Sequence, residues 1–249
     1  SGTPAPWMFA YTFAGCSNLR ESIPELLFRG IRNTPADSMF RATFADCTGL
    51  TGSIPEKLFY GVSGQPAPSM FESTFHGCTG LQENIPDELF HGINGAPAQY
   101  MFAKTFNGCS GLTGKIPDML FGTFNNIPAP WMFLGTFNGC SGLTDQIPGT
   151  LFNGISGRPA SGMFASTFSG CSGLSDNIPS DLFSGINGNA VNDMYNGTFS
   201  GCSGLTGPIP ENLFGTLRVS PANYVFCDTF NGCSGLTGVI PEKLFGDIS

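Results

Sequence analysis

The sequence is short of charge. Ten Lys and Arg and 18 Asp and Glu make up 11% of its 249 residues, the formal net charge is −8, and no basic run occurs. Nucleic-acid backbones and anionic bilayers are bound through clustered Lys and Arg, so neither is an expected partner. Long apolar stretches are missing too. None approaches the ~20 residues of a bilayer span, so membrane insertion is not expected. No signal-peptide pattern is visible. Ser1-Gly2 stands in phase with Ser63-Gly64, so the chain reads as opening inside a longer array, without that array's caps.

Catalytic groups are equally sparse. The two histidines, His76 and His91, sit at unrelated positions beside Gly77 and Gly92 and read as solvent-facing. There is no C-x-x-C, H-E-x-x-H, Walker or EF-hand pattern. Acid pairs such as Asp87-Glu88 read as charges at a helix start. No catalytic residue, metal ligand or cofactor is therefore nominated, and a non-enzymatic protein is expected. The triplet Asn196-Gly197-Thr198 is a glycosylation sequon, but such triplets arise easily in a chain rich in Asn, Gly and Thr.

What the sequence does have is a repeat, the first thing to seek in a chain with fixed-interval cysteines. Cys16, Cys47, Cys78, Cys109, Cys140, Cys171, Cys202 and Cys233 recur at one unvarying interval of thirty-one positions, and only Cys227 falls outside the series. The Pro of each Ile-Pro keeps the same interval from Pro24 to Pro241, and so does the Phe three before each repeat Cys, from Phe13 to Phe230. Of the 24 Phe, eight precede the Cys and eight follow the Pro. Seven more occupy one further slot, six after Met and Phe226 after Val225, where the remaining copy has Tyr195, and Phe124 alone is left. The unit P-A-x-x-M-F-x-x-T-F-x-G-C-S-G-L-T-G-x-I-P-x-x-L-F-x-G-I-x-G fills residues 1–249 with eight copies, read as a single domain. No copy can bury its own apolar face, so neighbours must cover it, as in a solenoid.

Two segments of each unit carry a helix-like pattern. Met39, Phe40, Phe44 and Cys47 fall within an arc of roughly 140° at 100° per residue, and Ile54, Leu58, Phe59 and Val62 do the same. Pro35 and Pro55 suit a first helical turn. Gly61 and Gly77 suit C-terminal caps, and the acids after Pro, such as Glu56 and Asp118, suit a helix N-terminus. The expected coil thus has two short helices. Between them Cys-Ser-Gly-Leu-Thr-Gly-x-Ile is the expected extended segment, pairing in parallel with its neighbours as a narrow β ladder. Coils would advance by ~4.8 Å if strand pairing sets the spacing, or ~8–10 Å if helix packing does. Phe44, Phe75, Phe106 and Phe137 with Cys47, Cys78, Cys109 and Cys140 are expected to form the core ladder. The eight in-phase cysteines read as buried free thiols. Cys227 reads as exposed.

At F-x-G-C-S-G-L-T-G-x-I-P the unit resembles the BspA-like leucine-rich repeats of bacterial surface proteins, with their A-F-x-x-C-x-x-L-x-x-I-x-I-P rhythm. Phe106, Cys109, Leu112, Ile116 and Pro117 carry the likeness. The interval from Leu to the Ile before Pro is one residue shorter here, and the unit is longer by its P-A-x-x-M-F segment. The resemblance implies an extracellular or cell-surface solenoid used for adhesion or recognition, with a protein or glycan ligand. Function would sit in slots that vary between copies. The slot before Met holds Trp7, Ser38, Ser69, Tyr100, Trp131, Gly162, Asp193 and Tyr224. Tyr100 and Trp131, in adjacent copies, could form an aromatic shelf for a sugar or peptide, or could simply shield a neighbouring helix end. The alternative to recognition is structural: the terminal copies keep the full apolar set, which would let the chain self-associate end to end as a stalk or filament.

Overall fold

The computed structural model describes residues 4–121, 124, 127–218 and 221–245. Among them there is no helix, and the regular strands are two: β1 (Asn187–Asn189) and β2 (Thr216–Arg218). The expected leucine-rich-repeat-like coil with two short helices is therefore overturned.

The segment expected as the first helix is a run of fused tight turns. In the second coil the N–H groups of Met39, Arg41, Thr43, Ala45 and Cys47 donate back three residues, to Ala36, Ser38, Phe40, Ala42 and Phe44, at 3.1–3.2 Å. The N–H groups between them leave the coil. Ser38, Phe40, Ala42, Phe44 and Asp46 donate to the carbonyls of Pro68, Met70, Glu72, Thr74 and His76 at 2.7–2.9 Å. Every fourth residue, here Ser38, Ala42 and Asp46, has a φ of 50–58°. A right-handed helix cannot hold a left-handed residue in every turn. The backbone groups a helix would pair internally are instead shared equally between the coil and its neighbour, which satisfies them with no helix at all.

The second segment expected as a helix is also built of single turns. Leu58, Tyr60 and Val62 donate to Pro55, Lys57 and Phe59 at 2.8–3.2 Å. Gly61 is there for a different reason from helix capping: a Cβ on it would overlap the Ile31 carbonyl oxygen of the preceding coil.

The extended segment pairs more sparsely than a ladder. Gln82 donates to Gly52 at 2.9 Å and Thr144 to Gly114 at 2.8 Å, at the isolated parallel bridges Gly52↔Leu81 and Gly114↔Leu143. β1 and β2 lie elsewhere, after the second turn segment, and pair in parallel as Asn187↔Thr216, Gly188↔Leu217 and Asn189↔Arg218. Close approach explains the Ser-Gly-Leu glycines. A Cβ on Gly111 would lie 2.5 Å from the carbonyl oxygens of both Leu81 and Thr79.

Inside the coils the rings form three files. Phe44, Phe75, Phe106 and Phe137 stack at 5.7 Å with interplanar angles of 4–6°. The Met-Phe file, such as Phe71 to Phe102 to Phe133, runs at 5.8–6.0 Å. The file after Ile-Pro, such as Phe59 to Phe90 to Phe121, runs at 6.2–6.3 Å. Rings of the last two files meet tilted, as Phe71 and Phe90 do at 4.6 Å and 46°, the geometry aromatic quadrupoles favour. These spacings sit near the strand-pairing advance rather than the helix-packing one. Their spread between files shows that successive coils rotate as well as translate. The exposed surface of 10629 Å² is what a globular protein of 26.2 kDa has, ~10,600 Å², so the stack is as compact as a sphere-like domain.

Cys47, Cys78, Cys109 and Cys140 are wholly buried beside those rings. Each thiol donates to a carbonyl of the preceding coil, Cys109 to Phe75 at 2.9 Å and Cys140 to Phe106 at 2.9 Å. Threonines do the same work. The Thr105 hydroxyl lies 3.0 Å from the Phe71 oxygen and 2.9 Å from that of Phe102. Methionine sulfur accepts the N–H of the Ala three before it, as Met101 does from Ala98 at 3.2 Å. Cys16 departs from the buried set and is exposed.

Candidate functional site

The slot before Met is a backbone position before it is a side-chain position. Trp7, Ser38, Ser69, Tyr100, Trp131, Gly162, Asp193 and Tyr224 all have φ between 52° and 59°. In turns closed by a hydrogen bond, such as the one from Met101 back to Ala98, the slot is the third of four residues. Glycine costs nothing there and a large side chain costs about 1–3 kcal/mol. The N–H of each of the first seven is tied to the next coil, Tyr100 to Pro130 at 3.2 Å and Trp131 to Ser161 at 2.9 Å. The slot is thus rigid whatever it carries.

The structure brings Tyr100 and Trp131 together. Their rings are parallel within 8°, with centroids 6.4 Å apart, and both are half-buried. The indole then covers Gly162, where a Cβ would overlap it. So the pair forms a shelf, and its far end also shields the neighbouring coil's backbone, which is a turn and not the expected helix end. The pair carries two hydrogen-bonding groups, the Tyr100 hydroxyl and the Trp131 indole N–H. Elsewhere in the file Ser38 and Ser69 are buried, and Trp7 lies 5.5 Å beneath the Arg41 guanidinium, itself 3.0 Å from Glu72.

The other sequence candidates are scattered. His91 is exposed, but His76, expected at the surface, is half-buried with an enclosed Nδ1 that has no partner. All nine cysteines are free, Cys227 is exposed with its Sγ 3.5 Å from Asp228, and no group of metal-ligating side chains occurs among the described residues. Burial pushes the Cys78 and Cys171 thiols up to about 12, and those of Cys109 and Cys140 well above their ordinary value. Such thiols are poor nucleophiles. No helix of the described residues is long and apolar enough to cross a membrane.

A feature that sequence reasoning missed is a groove of about 600 Å³ over β1 and β2, lined by Arg158, Asn187, Asn189 and Arg218. The repeat does not reveal it, because the strand register, Asn187 with Thr216, falls out of step with the repeat interval. The fold and these surface features define a protein of stacked, turn-built coils with ring files inside. No family model, no curated protein and no solved structure matches the chain.

Proposed function

We propose that the chain is a non-enzymatic recognition scaffold, displayed outside the cell at a bacterial surface, that binds a protein or glycan through variable slots on a fixed frame. One observation carries the reading. Tyr100 and Trp131 occupy left-handed positions where Gly162 and Asp193 serve equally well as backbone. Strain kept at a half-buried surface slot, where glycine would relieve it, is a mark of selection for the side chain. The resemblance in rhythm to bacterial surface repeats and the sparsely charged exterior support the same reading.

The test is Trp131→Gly. Glycine relieves the backbone and removes the ring, and these effects offset, so melting stays within about 1 kcal/mol of the parent. Binding on a glycan or surface-protein array is expected to fall at least about tenfold. Array signal unchanged by the substitution, or absent from the parent protein, defeats the reading.

A further inference from the structure

Between Lys115 and Lys243 the chain has only two cationic side chains, Arg158 and Arg218, against eight carboxylates. The two lie nearly two repeat units apart, in different slots of the repeat, yet both line the groove over β1 and β2. Their convergence comes from strand register. Gly157 bridges Ile186 and its carbonyl accepts the Asn187 N–H at 3.0 Å, which brings Arg158, the next residue, beside Asn187. Asn189 pairs with Arg218 on the opposite row. Side chains on those two rows share a face, because the row between them, Gly188 and Leu217, turns the other way. Leu217 is indeed buried, while Arg158, Asn187, Asn189 and Arg218 are exposed. The result is a quartet of two Arg–Asn pairs flanking Gly188, which is held at a φ of 110°. A Cβ there would come 3.7 Å from Pro159 and 3.9 Å from the Arg158 stem.

Neither arginine has a carboxylate within ion-pair distance among the described residues; the ion pairs are Arg41–Glu72, Lys57–Glu25 and Lys115–Asp118. Two strand spacings and two residues along the strand put the two Cα atoms ~12 Å apart. Guanidinium groups on long arms can then close on one carboxylate or hold two along a chain, and the planar fork suits carboxylate in either case. The asparagine amides each donate and accept, which matches ring hydroxyls. Pro159 and Val191 add an apolar floor beside the four polar side chains, against which the carbon face of a sugar ring can rest.

We infer that this groove binds a carboxylated saccharide, a short run of uronic acid units, through the Arg158–Asn187 and Asn189–Arg218 pairs. The inference deepens the recognition reading but does not rest on Trp131. Calorimetric titration with a galacturonic acid oligomer, its methyl ester and an oligoglutamate of equal length tests it. The acid oligomer binds, and the ester binds at least about tenfold more weakly, because charge-assisted hydrogen bonds are lost. Arg158→Gln and Arg218→Gln each cost at least about fivefold without moving the melting temperature, and rising salt weakens binding. Asn189→Asp, which sets a like charge in the groove, abolishes binding. Trp131→Gly leaves it unchanged, which separates this site from the aromatic one. The inference is overturned if the acid oligomer does not bind, if ester and acid bind alike, if the double arginine variant binds as the parent does, or if oligoglutamate binds as tightly as the sugar.

Discussion

Tyr195 shows how much a single atom can matter in this interior. It fills the ring file otherwise held by Phe71, Phe102, Phe133 and Phe164, and it stacks on Phe164 at 5.7 Å and 9°, as a Phe would. Its hydroxyl is enclosed with no partner. An unsatisfied buried hydroxyl costs about 1–3 kcal/mol, while the ring itself loses nothing by becoming Phe. Tyr195→Phe is therefore expected to stabilise the protein by about 1–2 kcal/mol in a denaturant titration, with the m-value unchanged. Equal or lower stability would mean that the hydroxyl has a partner. The buried threonines point the other way. The Thr105 hydroxyl reaches two carbonyls, one in its own coil and one in the coil before. Sequence phase marks Thr105 as part of the unit without saying which carbonyl it serves.

At the scale of the element, the thiol file has the sharpest consequence. Folded Cys78 and Cys171 hold their protons to about pH 12, through burial first, against an ordinary value of 9.0. Cys109 and Cys140 are shifted the same way. A raised folded value means that the native state binds more protons than the unfolded one above pH 9. Stability from these groups is thus whole below pH 9 and is lost as pH rises toward 12. Each fully buried thiol contributes a slope of about 1.4 kcal/mol per pH unit in that window. The melting temperature should fall steeply above pH 9, and the fall should be shallower in Cys109→Ala; identical alkaline slopes would refute the buried-thiol account. The turn segments explain what is legible in the sequence and what is not. The phases of Phe and Cys mark the interior, because side chains that must meet their counterparts recur at one interval. The helical reading of the backbone fails because Met39, Thr43 and Cys47 repeat every four residues, and over so short a run four is hard to tell from 3.6. The discriminating signal is the slot at Gly15, Gly77, Gly108 and Gly139, where glycine recurs at a position of positive φ. Tyr100 and Trp131 are readable from phase alone, since they are neighbours in one slot. Arg158 and Arg218 are not, because only the strand register joins them.

At the scale of the molecule, the coils are bound in two directions at once. The turn segment donates forward, as Phe71 does to Met101 and Phe75 to Thr105, while the extended segment donates back, as Thr113 does to Glu83. Alternate residues of the turn segment have opposite duties, one closing a turn and the next reaching the neighbouring coil. A shift of one residue therefore exchanges donors between these duties and takes every ring out of its file. A shift of one whole unit changes nothing but the number of coils. Deleting 105–135 removes one whole unit and joins Lys104 to Thr136, in phase with Thr105. Stability of such arrays is a sum of unit and interface terms, so this deletion should fold cooperatively with an m-value lower by about one eighth. Deleting 105–134 removes one residue fewer, yet it should cost far more and leave the protein partly unfolded, with the ring files broken at the join. Urea titration followed by near-ultraviolet circular dichroism distinguishes the two. If both deletions unfold alike, coil-to-coil register is not what holds the chain together; if only the out-of-phase one does, the alternation of forward and internal hydrogen bonds is the device that fixes the length of the repeat.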